Sequence, residues 1–172
     1  MTDRELMRQA LEALELRRLV AYDAETGLMI RLVATASNIK VGDPVGYADN
    51  QGYLCAYIKG KQYKVHRLAW LYVYGEWPKG QLDHINGERT DNRICNLREA
   101  TASQNQQNKA TPKENKSGVK GVVQHKRSGR WYAFCRVNGS RSFLGSFKEI
   151  QAAEAAVIKF RSEHHGEFAR HQ

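Results

Sequence analysis

Apolar and polar positions change period several times along the chain, and each change marks an element. Leu6, Ala10, Ala13 and Leu14 recur at helical spacing within residues 2–19, and Thr2 and Glu5 form a T-x-x-E capping box ahead of them. An amphipathic helix with a polar, acidic outer face is predicted there. Residues 22–29 read as a hairpin turning near Thr26-Gly27. A clearer hairpin follows, with strand-like runs at 52–58 and 62–65 joined by a Lys-Gly-Lys turn at 59–61. Helical spacing returns over 66–75, where Leu68, Ala69, Leu71, Tyr72 and Val73 are available for a core. Pro78 and Gly80 end that helix and open a new strand.

Residues 107–118 are polar, contain Pro112 and Gly118, and form the best linker in the chain. Beyond them, residues 121–144 give three short strand-like runs separated by Ser128-Gly129 and Asn138-Gly139, the second a strong hairpin signal. A helix is predicted over about 148–163, with Ala153, Ala156, Val157 and Phe160 on one face. There are no repeats and no low-complexity segments.

Composition adds limits rather than a function. The 172 residues suffice for one ordinary domain or two small ones, with 41% hydrophobic and 26% charged residues. No apolar run is long enough to span a bilayer, and Asp3, Arg4 and Glu5 stand where a secretory signal would need an apolar core, so a cytoplasmic location is expected. Cys55, Cys95 and Cys135 are scattered and form no C-x-x-C pair, which disfavours a disulfide framework and a structural zinc. The formal net charge of +9 divides into −2 for residues 1–50, +4 for 51–112 and +7 for 113–172. A basic final third attached to a near-neutral front suits a polyanionic partner.

The chemistry concentrates in residues 81–109. Asp83 is followed directly by His84, then by a polar turn at Asn86-Gly87, a second strand around Leu97, and a helix opened by the T-x-x-Q capping box of Thr101 and Gln104. That box puts Asn105 in the first turn of the helix. A histidine takes a proton near neutral pH, and a hard divalent ion takes oxygen ligands such as the Asp83 carboxylate and the Asn105 amide carbonyl. Together they supply what phosphodiester hydrolysis needs. Adjacent strand residues face opposite ways, so convergence of Asp83 and His84 demands a twist or bulge.

Five motifs in order, V-H-R-L-A-W (65–70), D-H-I-N-G (83–87), D-N-R (91–93), N-L-R (96–98) and S-Q-N-Q-Q-N (103–108), closely resemble the HNH endonuclease family, in its His-Asn-Asn branch of phage-type and intron-type homing nucleases. The resemblance covers roughly residues 50–110 and implies a ββα-metal hairpin and helix. It implies that His84 is the general base, that Asp83 and Asn105 hold a divalent metal, magnesium or manganese, and that Asn96 orients the His84 ring. The spacings, 12 residues from His84 to Asn96 and 9 more to Asn105, suit that branch. Asn92 competes for the orienting role; Asn96 is preferred, with Asn92 and Asp91 read as turn-stabilising. Zinc-stapled members of the wider family carry paired cysteines that this chain lacks, so no structural zinc is expected. His66-Arg67 either contacts phosphate or caps and packs its helix. His164, His165 and His171 read as surface residues.

The C-terminal motifs S-G-V-K-G-V (117–122), G-R-W-Y-A (129–133), F-L-G-S-F (143–147) and A-A-E-A-A (152–156) resemble the Apetala-type, ethylene-response DNA-binding domain. That resemblance implies a three-stranded sheet entering a major groove, with Lys120, His125, Arg130, Trp131, Arg136 and Arg141 as DNA contacts. Separately, Arg67 of the front module is counted among the candidate DNA contacts. Alternation puts Arg130, Tyr132, Phe134 and Arg136 on one face and Trp131, Ala133 and Cys135 on the other. Trp131 therefore either packs on the helix or reaches the groove edge. Val123 stands where that family often has an arginine.

The expectation is an α+β protein: residues 1–110 a ββα-metal nuclease module with an N-terminal helix and hairpins, 111–116 a linker, and 117–172 a three-stranded sheet packed on one helix. Its partner would be double-stranded DNA, with no membrane and no small-molecule substrate, and the sequence leaves a homodimer open. Two rival readings are a non-catalytic, sequence-specific DNA-binding protein on an HNH scaffold and an RNA-directed protein. The full set Asp83, His84, Asn96 and Asn105 argues against a mere scaffold.

Overall fold

The structure is a computed structural model that describes residues 2–108, 111, 114–137, 139–164 and 168–169. Pro112 in the expected linker, Asn138 in the expected turn, and His165 and His171 lie outside the described residues. Among the described residues the chain is mixed α+β, with four helices and four small sheets. It divides into two compact units, Met1–Glu99 and Ala100–Gln172.

In the first unit, α1 (Asp3–Leu19) is capped by Thr2, whose Oγ accepts from Glu5 N at 3.4 Å, as the capping box predicts. Its buried face is not the expected one. Gln9, Ala13 and Leu16 face inward, while Leu6 and Leu14 are exposed. Polar anchors set this rotation: Gln9 Oε1 accepts from Trp77 N and Glu12 Oε2 from Trp77 Nε1, both at 2.7 Å, and Arg17 Nε donates to Tyr72 O at 2.9 Å. A count of apolar residues gives no sign of these long-range bonds.

Strands β1 (Val20–Tyr22) and β2 (Met29–Arg31) pair as the first hairpin. A three-stranded sheet follows in the order β3 (Tyr47–Ala48), β4 (Leu54–Ile58) and β5 (Lys61–Lys64). The β4–β5 turn sits where the Lys-Gly-Lys signal put it, with Lys59 and Gly60 at positive φ of 49° and 75°. Helix α2 (Val65–Tyr74) ends on Gly75 in the left-handed conformation. Val65, Leu68 and Leu71 from α2 meet Ala13, Leu16, Val20, Met29, Val45 and Ala56 in one apolar core. Strand β6 (Gln81–His84) then pairs with β7 (Leu97–Ala100), separated from it by a polar loop and a single 3-10 turn at Ile94–Asn96.

The second unit begins with α3 (Ala102–Asn108). The expected division placed this segment in the first module; its packing groups it with the second. Strands β8 (Val122–Gln124), β9 (Trp131–Val137) and β10 (Ser140–Phe147) form an antiparallel sheet in the order β10–β9–β8. Helix α4 (Ile150–His164) covers one face of it. Val122, Ala133, Ala153 and Val157 make the core between sheet and helix, with Trp131, Leu144 and Phe147 packed around it.

Candidate active site

The loop between β6 and β7 is tied to itself by its own short polar side chains. Asn86 Oδ1 accepts from Glu88 N at 2.8 Å, an Asx turn, and Gly87 N donates to His84 O at 2.8 Å. Arg93 makes a two-pronged ion pair with Asp91, with bonds of 2.8 and 2.6 Å, and this pushes the Asp91 carboxyl down to about 2. Asn96 is buried at the centre of the loop. Its Oδ1 accepts from Asn86 N at 3.0 Å, and its Nδ2 donates to Asn86 Oδ1 at 3.0 Å and to Asp91 O at 2.8 Å.

The N-terminal hairpin clamps the same loop from outside. Tyr22 donates its hydroxyl to Asn92 O at 2.7 Å. Gly27, at a φ of 74°, lies so close that a Cβ there would stand 2.5 Å from Arg93 N and 2.8 Å from the Asn92 carbonyl carbon. Only glycine allows that approach. The clamp delivers Asn92, 1% exposed, onto the histidine ring: His84 Nε2 lies 3.2 Å from Asn92 Oδ1.

In this geometry the competing candidate, Asn92, faces the His84 ring, and Asn96 holds the loop that carries Asn92. A carbonyl oxygen only accepts, so a neutral ring in this contact carries its proton on Nε2 and its lone pair on Nδ1. His84 is 4% exposed, and burial lowers its pKa from 6.5, against the opposing pull of the Asn92 bond and the nearby Asp83, Asp91 and Glu88 charges. At neutral pH the ring is in its basic, neutral form.

A second histidine, His66 at the head of α2, lies edge-on to His84 with ring centroids 5.0 Å apart. Tyr53 completes the cluster, 5.5 Å from His66 and 5.9 Å from His84. Burial, and then the neighbouring His84, Arg67 and Lys64 charges, push His66 down to about 3. Its Nδ1 and the Asn92 Nδ2 are both buried with no hydrogen-bond partner, a cost that native interiors seldom carry. Spacing gave no sign of the His66–His84 contact, because 18 residues separate them and the path of α2 brings them together.

Strand alternation holds at Asp83. The Asp83 side chain turns to β7, where Arg98 Nε and Nη2 donate to Oδ2 at 3.0 and 2.9 Å, an ion pair with a buried carboxylate and a half-buried guanidinium. Asp83 and His84 thus meet different neighbours, and the demand for a bulge is not met by side-chain contact. Among the described residues no three His, Cys, Asp or Glu side chains cluster as a metal cage. The expected set needs only one carboxylate and one amide oxygen. It fits a hard cation by donor type, since carboxylate and amide oxygens are both hard ligands. Asn105 lies on α3, where Thr101 and Gln104 form the predicted capping box, with Thr101 N donating to Gln104 Oε1 at 2.8 Å and Gln104 N to Thr101 Oγ at 3.2 Å.

The expected DNA contacts divide by environment. Arg67 packs over Trp77, 5.9 Å from the ring centre, and donates to Gly80 O at 3.3 Å, so the packing alternative describes it. In the second unit Lys120 Nζ donates to Gln107 O at 2.7 Å, and Arg130 Nε and Nη2 bond to Ser146 at 2.6 Å. Trp131 is partly buried against the core under α4, the packing alternative of the sequence reading. His125 stacks on Tyr132, with rings 4.8 Å apart and 8° from parallel. Arg136 and Arg141 are exposed, and Arg141 lies over the Phe134 ring at 3.7 Å.

The sequence model of the HNH endonuclease family matches residues 63–107, the stretch from the end of β5 through most of α3. Protein 3.8 of Escherichia phage T7 is 34% identical over 106 residues, which cover 61% of this chain and 87% of that protein. The chain carries an HNH endonuclease domain and belongs to one family with Protein 3.8. The uncharacterized HNH endonuclease L247 of Acanthamoeba polyphaga mimivirus is 34% identical over 87 residues, 46% of this chain and 22% of that much longer protein. No solved structure matches. Membership points to a nuclease-type, DNA-related function, and HNH nucleases are generally dependent on a divalent metal. The matched region contains the whole His66, Asp83, His84, Asn92, Asn96, Arg98 and Asn105 set. Among the described residues no helix is long and apolar enough to cross a membrane.

Proposed function

We propose that the protein is a metal-dependent endonuclease that hydrolyses phosphodiester bonds of duplex DNA. The observation that carries this reading is His84: a buried, neutral imidazole whose Nε2 proton is engaged by Asn92 inside an HNH domain. Its Nδ1 lone pair takes a proton from water, and the resulting hydroxide attacks phosphorus in line. Asn92 fixes the tautomer and the ring plane, and Asn96 fixes Asn92 through the loop. Asp83 and Asn105 would hold magnesium or manganese, which when bound supplies charge stabilisation for the phosphate and the leaving 3′ oxygen. In this reading the protein is a front nuclease module, to about residue 110, followed by a basic DNA-binding domain of Apetala type from 117, acting in the cytoplasm. What supports a DNA-binding role for this part is its basic charge, with Arg136 and Arg141 as phosphate contacts.

One observation favours the rival reading of a DNA-binding scaffold. Arg98 already neutralises Asp83, the carboxylate a catalytic metal would need. Cleavage of supercoiled plasmid decides between the two. With magnesium or manganese the parent converts plasmid to nicked or linear form, chelator stops it, and His84→Ala lowers the rate by about 10²–10⁴-fold while plasmid binding persists. A parent that binds plasmid, and genomic DNA fragments, without cutting either leaves the scaffold reading. A His84→Ala variant that cuts as fast as the parent removes His84 as the base.

A further inference from the structure

The face of the C-terminal sheet that α4 leaves open carries aromatic rings where a solvated sheet face would carry polar groups. Phe143 is 57% exposed, 5.2 Å from Phe134 and 5.6 Å from Tyr132 by ring centroid. These rings lie in chain that is basic without exception: residues 115–148 contain eight Lys and Arg and no Asp or Glu. A groove of about 730 Å³ opens beside these rings, lined by Phe134, Arg136 and Arg141 of the sheet and by Ser103, Gln106 and Gln107 of α3; Phe143 stands outside its lining, against Phe134. Its size lies within the range of about 300–1,000 Å³ common to ligand sites. The wall is anchored, because Lys120 Nζ holds Gln107 O and Arg161, buried, donates to Lys120 O at 2.8 Å.

Charge of this kind attracts phosphate, but charge does not account for the rings. A base-paired duplex shows a protein its phosphates, its groove edges and its thymine methyls, and keeps the flat faces of its bases in the stack. Exposed aromatic rings gain most from base faces, which only an unpaired strand presents, and every base has one. The amide and hydroxyl groups of Ser103, Gln106 and Gln107 share one side of α3 by their i, i+3, i+4 spacing and offer hydrogen bonds to base edges.

We propose that this groove, together with the exposed Phe143 ring beside it, binds a DNA strand with unpaired bases, stacking them on Phe134 and Phe143 and setting the phosphates against Arg136 and Arg141. The choice of DNA rests on the nuclease reading; the choice of an unpaired strand rests on the groove. This mode differs from a sheet lying in a closed major groove, where base faces stay in the stack.

Fluorescence anisotropy of the full chain in chelator tests this, with a labelled single strand of about 20 nucleotides, its duplex, and the RNA of the same sequence. The single DNA strand binds tightest. Phe143→Ala, checked for folding by circular dichroism, weakens it about tenfold and the duplex less than about twofold, and Phe143→Trp restores it. Duplex binding equal to or tighter than single-strand binding, tighter RNA binding, or a Phe143→Ala loss that is absent or equal for both DNA forms overturns the groove assignment. Plasmid cleavage with metal is scored separately: cutting without single-strand preference refutes the groove alone, and single-strand preference without cutting refutes the nuclease alone.

Discussion

The loop around His84 and the open face of the C-terminal sheet both gather polar and aromatic side chains, yet they are built in opposite ways. At His84 the key polar groups are buried and tied to other parts of the chain: Asn92 to the ring, Asn96 to the loop, Asp83 to Arg98. On the sheet, Phe143, Arg136 and Arg141 stay exposed, with Phe143 and Arg141 both set against Phe134. The difference separates two tasks. Moving a proton requires one ring in one tautomer at one place, and that requires bonds from behind. Holding a strand of any sequence requires flat faces and charges that water can reach and a ligand can displace.

If that contrast is right, substitutions in the loop are costly and those on the sheet are cheap. The largest effect on stability is expected for Arg98→Met, which removes the ion-pair partner of the buried Asp83 carboxylate and costs about 3–5 kcal/mol in urea unfolding. The double change with Asp83→Asn recovers most of the loss, and failure to recover shows that Arg98 matters for packing instead. Gly27→Ala comes next. It forces a Cβ against Arg93 N at a positive φ, so it costs about 2 kcal/mol. It also slows cleavage, since the clamp that delivers Asn92 is pushed away; a variant with parental stability and rate shows that the hairpin does not position the loop.

A smaller, graded effect is expected with pH. His66 is held at about 3 in the fold against about 6.5 in the unfolded chain, so below pH 6.5 the unfolded chain gains a proton that the folded one declines. Stability is complete above 6.5 and falls as pH drops from 6.5 toward 3, with a slope of up to about 1.4 kcal/mol per pH unit from this group. His84, also lowered, adds in the same direction. Denaturant midpoints between pH 4 and 6.5 should show a shallower slope for His66→Gln than for the parent; identical slopes place the acid sensitivity elsewhere. The smallest effect is expected on the sheet, where Phe143→Ala changes stability by less than about 0.5 kcal/mol because its ring is exposed. A loss several times larger marks Phe143 as part of the fold.

Much of this protein is local in origin and was legible from the chain alone. The capping boxes at Thr2 and Thr101, the Lys59-Gly60 turn and the three-strand-plus-helix C-terminal pattern depend on neighbours a few residues apart, and all are found. Asp83-His84 stood out for the same reason. The face of α1 was misjudged because Gln9 and Glu12 are polar in the sequence but serve as anchors for Trp77, about 65 residues away. The aromatic face of the sheet was half legible: alternation put Tyr132 and Phe134 beside Arg130 and Arg136, and only the β9–β10 register brought Phe143 opposite Phe134.

What the sequence determined is the inventory and the local grammar: an acid–histidine pair between strands, an amide-rich helix start after it, and a basic tail. What only the tertiary structure decided is which groups meet. Asn92 and Asn96 are equally short, polar and near in sequence to His84, and nothing local separates them. The Tyr22 hydroxyl and the bare Gly27 backbone, from a hairpin some 70 residues earlier, press the loop until Asn92 reaches the ring and Asn96 stays behind it. Secondary structure follows bonds between near neighbours, whereas an active site is assembled by contacts whose partners the local pattern does not name.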